Sequence, residues 1–320
     1  MKVSTTNAPA AEIETEALIL AIPDDTGKPT PWDAVDAIVG GIVSEALAGP
    51  GFQGKRGQTL ALSTPGNRCR ELILVGLGTS AEIDLEAWRR AVANGTSKAR
   101  QRGNSRIGVP LPEIDGHDFE ELATAATEAA ILTSYRYREF KAASTEEVGL
   151  EEILIAAPVD IASATTRAQK IADATCWARD LVNTPSNMKR PDSLAARAIE
   201  MAEETGLEFE NIDDEAAGEL GLNALLAVGQ GSAVGPRLIT LEHRPTGAAN
   251  QPTVLIGKGI TFDTGGISLK PAQKMGDMKA DMSGAAAVFG TMRALAELDA
   301  PTWVIGVTPL AENMPGSQAY

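Results

Sequence analysis

The segment that decides the fold of this chain is residues 253–271, TVLIGKGITFDTGGISLKP, followed at 279–284 by KADMSG. Its first residues, Thr253–Ile256, are largely apolar and β-branched and predict a buried strand. The glycines that follow permit positive φ angles and a close approach of backbone segments. Ligands of open α/β sheets gather at the carboxyl ends of the strands. The segment therefore predicts an α/β domain with a binding site just after this strand.

The charged residues of the same segment are suited to a divalent metal ion. Asp263 and Asp281 offer hard carboxylate oxygens. A lysine is a poor ligand as an ammonium, but beside a metal ion in a desolvated pocket its pKa falls and the neutral amine can coordinate. From the residue types alone, ordinary solvated charges remain the more common explanation of Lys258, Asp263, Lys270 and Asp281.

Outward from this segment, apolar runs alternate with helical patterns along the chain, and this alternation predicts an α/β fold. The break at Pro158 indicates a domain boundary near residues 157–165, so we predict an N-terminal α/β domain at 1–160 and a second α/β domain at 161–320. The predicted strands are Ala17–Ile22, Thr59–Leu62, Glu71–Gly76, Arg106–Pro110, Glu152–Ala156, Leu238–Glu242, Thr253–Ile256 and Trp303–Thr308. The predicted helices are Trp32–Leu47, Ala87–Arg102, Phe119–Phe140, Ala164–Asn183, Pro191–Thr205 and Gly284–Leu298.

The composition is that of an acidic globular protein, with 43% hydrophobic residues, 22% charged residues and a formal net charge of −15. An acidic surface repels phosphate backbones and anionic lipids, which disfavours nucleic acid and membranes as main partners. Cys69 and Cys176 lie far apart without a CxxC motif, which favours a reducing compartment over a disulfide framework or a thiolate zinc site. The apolar run Ala17–Ile22 is too short to span a bilayer. We therefore expect a cytoplasmic protein.

Two glycine-rich stretches of the first half resemble nucleotide-binding loops, but each lacks a required feature. Residues 49–56, GPGFQGKR, fit GxxxxGK but carry Arg56 where a P-loop needs a Ser or Thr hydroxyl. Residues 76–81, GLGTSA, follow a strand as a dinucleotide loop does, yet residues 97–99, SKA, stand where an acidic ribose ligand belongs. We interpret both as structural turns, and nucleotide binding at Gly76–Ala81 remains an alternative.

The full strings are more specific than these glycine patterns. GKGITFDTGGISLKP at 257–271 and MKADMSGAAAV at 278–288 closely resemble the leucyl aminopeptidase (cytosol aminopeptidase) family of dinuclear-metal exopeptidases. Further blocks follow in the family order, namely RDLVNTPSN at 179–187, ALLAVGQGS at 224–232 and AENMP at 311–315. The resemblance covers about residues 175–320 strongly, whereas residues 1–160 fit only the general character of the family's N-terminal α/β domain.

The resemblance implies a C-terminal metallo-exopeptidase domain with a mixed sheet flanked by helices. Lys258 and Asp281 would bind one metal ion, Asp263 would bridge two, and Lys270 would be the catalytic lysine that holds the substrate carbonyl oxygen. The implied activity is release of N-terminal residues, preferably leucine-like, from peptides by water that two metal ions activate. The implied cofactors are two divalent ions, Mn²⁺, Zn²⁺ or Mg²⁺, together with a bicarbonate. The family further implies a homo-oligomer, a hexamer.

One family segment is not found in this chain. After the AENMP block the family continues to a string of the form Asn-Thr-Asp-Ala-Glu-Gly-Arg, whose acidic residues complete the metal site and whose arginine holds the bicarbonate. This chain stops at Tyr320 before such a string. We therefore expect a C-terminally truncated chain that is inactive by itself, cut from a longer aminopeptidase. The alternatives are a non-catalytic structural or regulatory member of the same fold, and nucleic-acid binding by the N-terminal domain.

Three methionines, Met275, Met278 and Met282, lie near the predicted site residues in the sequence. A flexible, polarisable thioether suits a pocket that receives an apolar side chain, but it also fills gaps in a core. From the sequence, both explanations of these methionines remain open.

Overall fold

The computed structural model describes residues 1–25, 32–142, 149–248 and 250–319. The chain divides into two compact units, Met1–Ala172 and Asp173–Tyr320. This division falls inside the helix Ala162–Asn183, and the domain boundary at 160/161 stays a prediction. Within the described ranges, no helix is long and apolar enough to cross a membrane.

The first unit is built on a sheet that has six strands in the described part of the chain. The sheet is parallel apart from its edge strand β3, which runs antiparallel to β4, and its order is β1-β6-β5-β2-β4-β3. The strands are β1 Lys2–Thr6, β2 Thr15–Pro23, β3 Thr59–Ser63, β4 Cys69–Gly78, β5 Arg106–Pro110 and β6 Glu152–Ala156. The apolar residues of β2 and β4 are buried in unbroken runs, which is typical of parallel strands covered on both faces.

Apolar layers cover both faces of this first sheet. The helices of the unit are α1 Asp33–Ile38, α2 Ile42–Ala48, α3 Leu85–Gln101 and α4 Phe119–Ser134. On one face, Trp88 of α3 is buried and its indole donates to the carbonyl of Leu122 in α4 at 2.9 Å. On the other face, Trp32 and Phe52 are buried against β2 and β4. The core of the first unit is therefore a sheet between two apolar layers.

The second unit contains a mixed sheet around the long strand β11. Its strands are β7 Glu208–Ile212, β8 Arg237–His243, β9 Thr253–Ile256, β10 Gly259–Asp263 and β11 Val304–Asn313. Strand β8 pairs antiparallel with both β11 and β7. Strands β9 and β10 pair parallel with successive halves of β11. The predicted α/β fold class, with mixed sheets flanked by helices, is confirmed.

The second unit has five α-helices among the described residues, and the first, the second and the last of them bury the apolar face of this sheet. The five helices are α5 Ala162–Asn183, which begins in the first unit, α6 Pro191–Thr205, α7 Asp214–Glu219, α8 Asn223–Gly229 and α9 Ser283–Glu297. Leu194 of α6 and Phe289 of α9 pack with Ile239 and Leu241 of β8 in one core cluster. Helix α6 starts with a proline in its first turn and ends at Gly206, which has a left-handed φ of 74°.

The prediction that Thr253–Ile256 is a buried strand is wrong in one respect. The strand forms with these bounds, but Ile256 is 76% exposed and Val254 is 50% exposed. The physical reason is that β9 lies at the edge of the sheet beside β11 and presents Val254 and Ile256 on the face opposite to the core that Leu255 contacts. Apolar composition indicated a strand correctly, but it did not reveal this edge position.

Two helix predictions also need correction. The helix predicted at Trp32–Leu47 consists of α1 and α2, because Gly40 and Gly41 between them adopt φ angles of 76° and 84°. The helix predicted to reach Phe140 ends at Ser134, after which the backbone becomes extended. In both cases the apolar spacing continued beyond the residue where the backbone leaves the helical region.

Candidate metal centre

A break between β9 and β10 positions the first of the predicted site residues. Strand β9 pairs with residues 304–307 of β11, and β10 pairs with residues 310–313 of the same strand. Lys258 lies in the interval between them, while the neighbouring Gly257 amide still donates to the Val307 carbonyl at 3.0 Å. The regular pairing of the sheet edge is therefore interrupted at Lys258.

Glycines make this break possible. A Cβ atom on Gly257 would lie 2.5 Å from the Gly284 carbonyl oxygen, and one on Gly284 would lie 2.8 Å from the Lys258 nitrogen. Because both positions lack a Cβ, the Ala285 amide can donate to the Lys258 carbonyl at 2.9 Å. The start of α9 is thereby held against the break, and the Lys258 ammonium lies 2.5 Å from Asp281 Oδ2.

The second pair forms where β10 ends at Asp263. Gly265 and Gly266 follow with φ angles of 91° and 65°, a region that favours glycine, and the chain turns back. The Lys270 amide then donates to the Thr264 carbonyl at 2.9 Å and closes the turn. This geometry brings the Lys270 ammonium to 2.6 Å from Asp263 Oδ2.

Asp263 is held by donors on both of its oxygens. Its Oδ1 accepts from the Asn313 side chain at 2.7 Å and from the Gly265 amide at 3.0 Å, while Oδ2 accepts from Lys270. Burial alone would raise the pKa of the Asp263 carboxyl, but these donors outweigh burial and hold that pKa below its usual range. The sequence did not single out Asn313, whose signal was its place in the middle of AENMP, where it ends β11 beside Asp263 of β10.

The four predicted residues form two lysine–aspartate contacts, Lys258 with Asp281 and Lys270 with Asp263. Each carboxylate already holds an ammonium, so a metal ion at these oxygens would have to displace a lysine side chain. With the Lys258 proton removed, an amine and carboxylates would be suitable ligands for one divalent ion. Among the described residues, no group of three or more His, Cys, Asp or Glu side chains could hold a metal ion. The residues present offer two carboxylates and one amine to a divalent ion, and the assignment of Asp263 to two ions stays a prediction.

A cavity lies beside the contact between Lys270 and Asp263. Two of the three methionines line this cavity, and the third does not. Met275 and Met278 line it together with Lys270, and the Met278 sulfur lies 3.3 Å from Lys270 Nζ. Met282, by contrast, is fully buried in the core of the second unit. Met275 and Met278 therefore border the candidate centre, whereas Met282 is a core residue.

The two nucleotide-like loops of the first unit contact each other. A Cβ atom on Gly76 would lie 2.0 Å from the Lys55 carbonyl oxygen, and the Gly78 amide donates to the Gly54 carbonyl at 2.9 Å. The Lys55 amide donates to the Gln58 side chain at 3.1 Å. Backbone donors that a phosphate would require are thus used within the protein, which favours the interpretation of both loops as structural turns.

The mixed sheet carries two lysine–aspartate contacts at its interrupted edge. This arrangement is suited to an α/β metallopeptidase. The catalytic-domain model of the cytosol aminopeptidase family matches residues 176–320, and the N-terminal-domain model of the same family matches residues 21–144. The chain belongs to the cytosol aminopeptidase family.

Curated relatives are longer than this chain. A probable cytosol aminopeptidase of Syntrophotalea carbinolica is 39% identical over 98% of this chain and 65% of that protein. A probable cytosol aminopeptidase of Aquifex aeolicus is 40% identical over 84% of this chain and 54% of that protein. The chain therefore spans between 54% and 65% of the length of these two relatives.

Two solved structures superpose on the chain. The bottromycin maturation enzyme BotP in complex with Mn matches with a TM-score of 0.81 and 34% identity, over 95% of this chain and 61% of that chain. A tomato leucine aminopeptidase mutant matches with a TM-score of 0.86 and 26% identity, over 100% of this chain and 64% of that chain. These matches support the α/β fold, while the roles of Lys258, Asp263, Lys270 and Asp281 stay predictions.

Proposed function

We propose that the whole protein is a metal-dependent aminopeptidase that releases N-terminal residues, preferably leucine-like, from peptides by water that two metal ions activate. The observation that carries this proposal is the pair of lysine–aspartate contacts at the two ends of β10. Membership of the cytosol aminopeptidase family supports the reaction, and the Mn-bound relative supports the use of divalent ions.

The two lysines have different tasks in this proposal. Lys258, as a neutral amine, and Asp281 would hold one ion, while Asp263 would contribute to the sites of both ions. Two divalent ions, Mn²⁺, Zn²⁺ or Mg²⁺, would lower the pKa of a water molecule and polarise the scissile carbonyl. The Lys270 ammonium would bind the substrate carbonyl oxygen and stabilise the negative charge that develops there.

The surroundings of Lys270 support an apolar substrate side chain. The cavity beside Lys270 has a volume of about 440 Å³ and is lined by Met275, Met278 and Pro271 together with the polar side chains of Gln273, Lys274 and Lys270. The flexible, apolar side chains of the two methionines adapt to a branched aliphatic group. We therefore assign the preference for leucine-like residues to this cavity.

The remaining features of the proposal follow from the family and from charge. We propose peptide substrates, a hexameric homo-oligomer, a bicarbonate held by residues outside this chain's sequence, and a cytoplasmic location. The formal net charge of −15 supports a protein that does not use nucleic acid as its main partner.

The test is Lys270→Ala in the protein encoded by the complete gene. We expect hydrolysis of a leucine anilide to fall by about 10²–10³-fold, because one electrostatic donor to the developing charge is lost. Bound Mn²⁺, measured by elemental analysis, should be retained. Lys98→Ala, which removes the same charge in the first unit, should keep full activity.

Two results would count against the proposed function. Unchanged activity of Lys270→Ala would show that Lys270 is not the catalytic lysine. A wild-type protein that binds Mn²⁺ but hydrolyses no peptide would favour the non-catalytic alternative.

Residues 1–320 alone are proposed to be inactive, because the acidic string that completes the metal site in the family does not occur among them. Purified 1–320 with added Mn²⁺ should leave leucine amide intact over hours. Measurable hydrolysis of leucine amide by this chain would refute the proposed inactivity.

A further inference from the structure

Lys189 is a buried lysine that the proposed reaction does not use. It lies between α5 and α6 and is only 3% exposed. Its ammonium donates to the carbonyl oxygens of Leu181 and Val182 at 2.9 Å each, and to that of Lys279 at 2.8 Å. A buried ammonium is costly unless its donors are satisfied, and here all three have a carbonyl partner.

Two of these partners are backbone groups that lack a partner in the helix itself. Leu181 and Val182 lie in the last turn of α5, where carbonyls receive no hydrogen bond from the helix. The negative end of the helix dipole also lies there and attracts a cation. Lysine suits this position because it carries three donors and no acceptor.

The contact between the two segments is reciprocal. While Lys189 donates to the Lys279 carbonyl, the Lys279 ammonium donates to the Asn183 carbonyl at 2.9 Å. We call this arrangement the lysine clasp. It consists of the side chains of Lys189 and Lys279 and the carbonyl groups that they contact. It joins the carboxyl end of α5 to the short turn Met275–Ala280.

That turn leads directly to a predicted metal ligand. Asp281 follows Ala280, and α9 begins at Ser283. Beyond Asp281, the Ala285 amide holds the chain to the Lys258 carbonyl at 2.9 Å. The backbone around Asp281 is thus held on one side by the strand break and on the other side by the lysine clasp.

We propose that Lys189 is a positioning residue that holds the Lys279–Asp281 backbone against α5 and thereby directs the Asp281 carboxylate to the metal ion. The link to metal binding rests on the proposed function. Lys189 does not touch the ion or the substrate, and it acts through the Lys279 carbonyl.

The test compares Lys189→Met, Lys189→Gln and Lys279→Met with wild type, all in the complete gene product. Lys189→Met removes every donor at nearly constant length, whereas Lys189→Gln keeps an amide donor. Lys279→Met removes the bond to Asn183 but leaves the Lys279 carbonyl in place. Two quantities are measured well below each unfolding midpoint: Mn²⁺ affinity by calorimetric titration, and hydrogen exchange of amides 279–282 in the metal-free protein.

We expect Lys189→Met to weaken Mn²⁺ binding about tenfold and to accelerate exchange at 279–282 about tenfold, with exchange in β8 unchanged. The Mn²⁺ affinity and the exchange rate of Lys189→Gln should lie between those of Lys189→Met and wild type. Lys279→Met should change both quantities less than Lys189→Met does. A general loss of stability would instead raise exchange in β8 as well.

The outcomes separate the two proposals. If wild type binds Mn²⁺ and Lys189→Met binds it within twofold of wild type, the positioning role is overturned and the proposed function stands. If wild type binds no divalent ion, the proposed function fails and the positioning role fails with it. Exchange at 279–282 that stays at the wild-type rate in Lys189→Met also overturns the positioning role.

Discussion

Glycines allow close backbone contact at strand ends in both units, but the residues beside them differ. At the carboxyl end of β4, Gly76 faces the carbonyl of Lys55, and the segment that approaches is neutral backbone. At the break between β9 and β10, Gly257 faces the carbonyl of Gly284, and the next residue is Lys258. The same steric property of glycine therefore packs two turns together in the first unit and brings two charged residues together in the second.

This difference shows why a glycine pattern alone does not identify a binding site. Glycine supplies space and permits unusual φ angles, but it carries no chemistry of its own. In the first unit the space is filled by the protein's own backbone, and the loop amides are already used. In the second unit the space lets the Lys258 ammonium reach the Asp281 carboxylate.

The largest expected effect concerns the first unit. In Gly76→Ala the new Cβ would lie 2.0 Å from the Lys55 carbonyl oxygen, so the two turns must separate. We expect the free energy of unfolding to fall by about 3 kcal/mol, the upper part of the usual cost of overpacking. Urea unfolding measures the loss, and Mn²⁺ affinity of the folded protein should not change. Gly51→Ala, where no atom lies within 4 Å of the new Cβ, is the control and should unfold like wild type.

A smaller loss of stability but a functional effect is expected at the strand break. In Gly257→Ala the new Cβ would lie 2.5 Å from the Gly284 carbonyl oxygen and push the start of α9 away from Lys258. We expect a loss of about 2 kcal/mol in stability and about tenfold weaker Mn²⁺ binding. Gly276→Ala, with open space around the new Cβ, should bind Mn²⁺ normally. Equal Mn²⁺ affinity in Gly76→Ala and Gly257→Ala would contradict the expectation that only the glycine beside Lys258 affects metal binding.

The third expected effect is a dependence of stability on pH that arises from Lys189 in the second unit. Burial, and then the nearby Lys279 ammonium, lower the pKa of Lys189 from 10.5 to about 7. Between these values the unfolded chain binds more protons than the folded protein, so Lys189 makes stability rise with pH through this window. The rise is at most about 1.4 kcal/mol per pH unit, and it is absent below pH 7, where Lys189 is protonated in both states.

The difference in unfolding free energy between wild type and Lys189→Met, measured from pH 6 to pH 9, isolates this contribution. This difference should be independent of pH below about pH 7. Above pH 7, the stability of wild type should increase relative to that of Lys189→Met. A difference that is independent of pH over the whole range would contradict the lowered pKa.

Strong local patterns were sufficient to predict many elements of the fold. The bounds of β5, β6, α6 and β9 coincide with those predicted from apolar spacing, proline and glycine signals. Strand β1 was missed because KVSTT has little apolar character, and β10 was missed because GITFD lies within the glycine-rich stretch. Strand β7 was missed because most of EFENI is exposed at the sheet edge.

The candidate centre was predictable in its residues but not in its contacts. Lys258, Asp263, Lys270 and Asp281 were identified from the family strings, yet the pairing of Lys258 with Asp281, 23 residues apart, depends on how a strand break packs against α9. The sequence indicated a helix start after Lys189 and nothing more about this residue. Its role becomes visible only when three carbonyls from two separate segments surround one ammonium.

The central claim is that the lysine–aspartate contacts form a metal centre in the whole protein. Anomalous diffraction from crystals grown with Mn²⁺ tests it most directly. We expect a manganese peak within coordination distance of the Asp281 and Asp263 carboxylates, with the Lys258 nitrogen turned from Asp281 to the ion. Density with the Lys258 ammonium still on Asp281, the Lys270 ammonium still on Asp263, and no manganese peak between them would contradict the account.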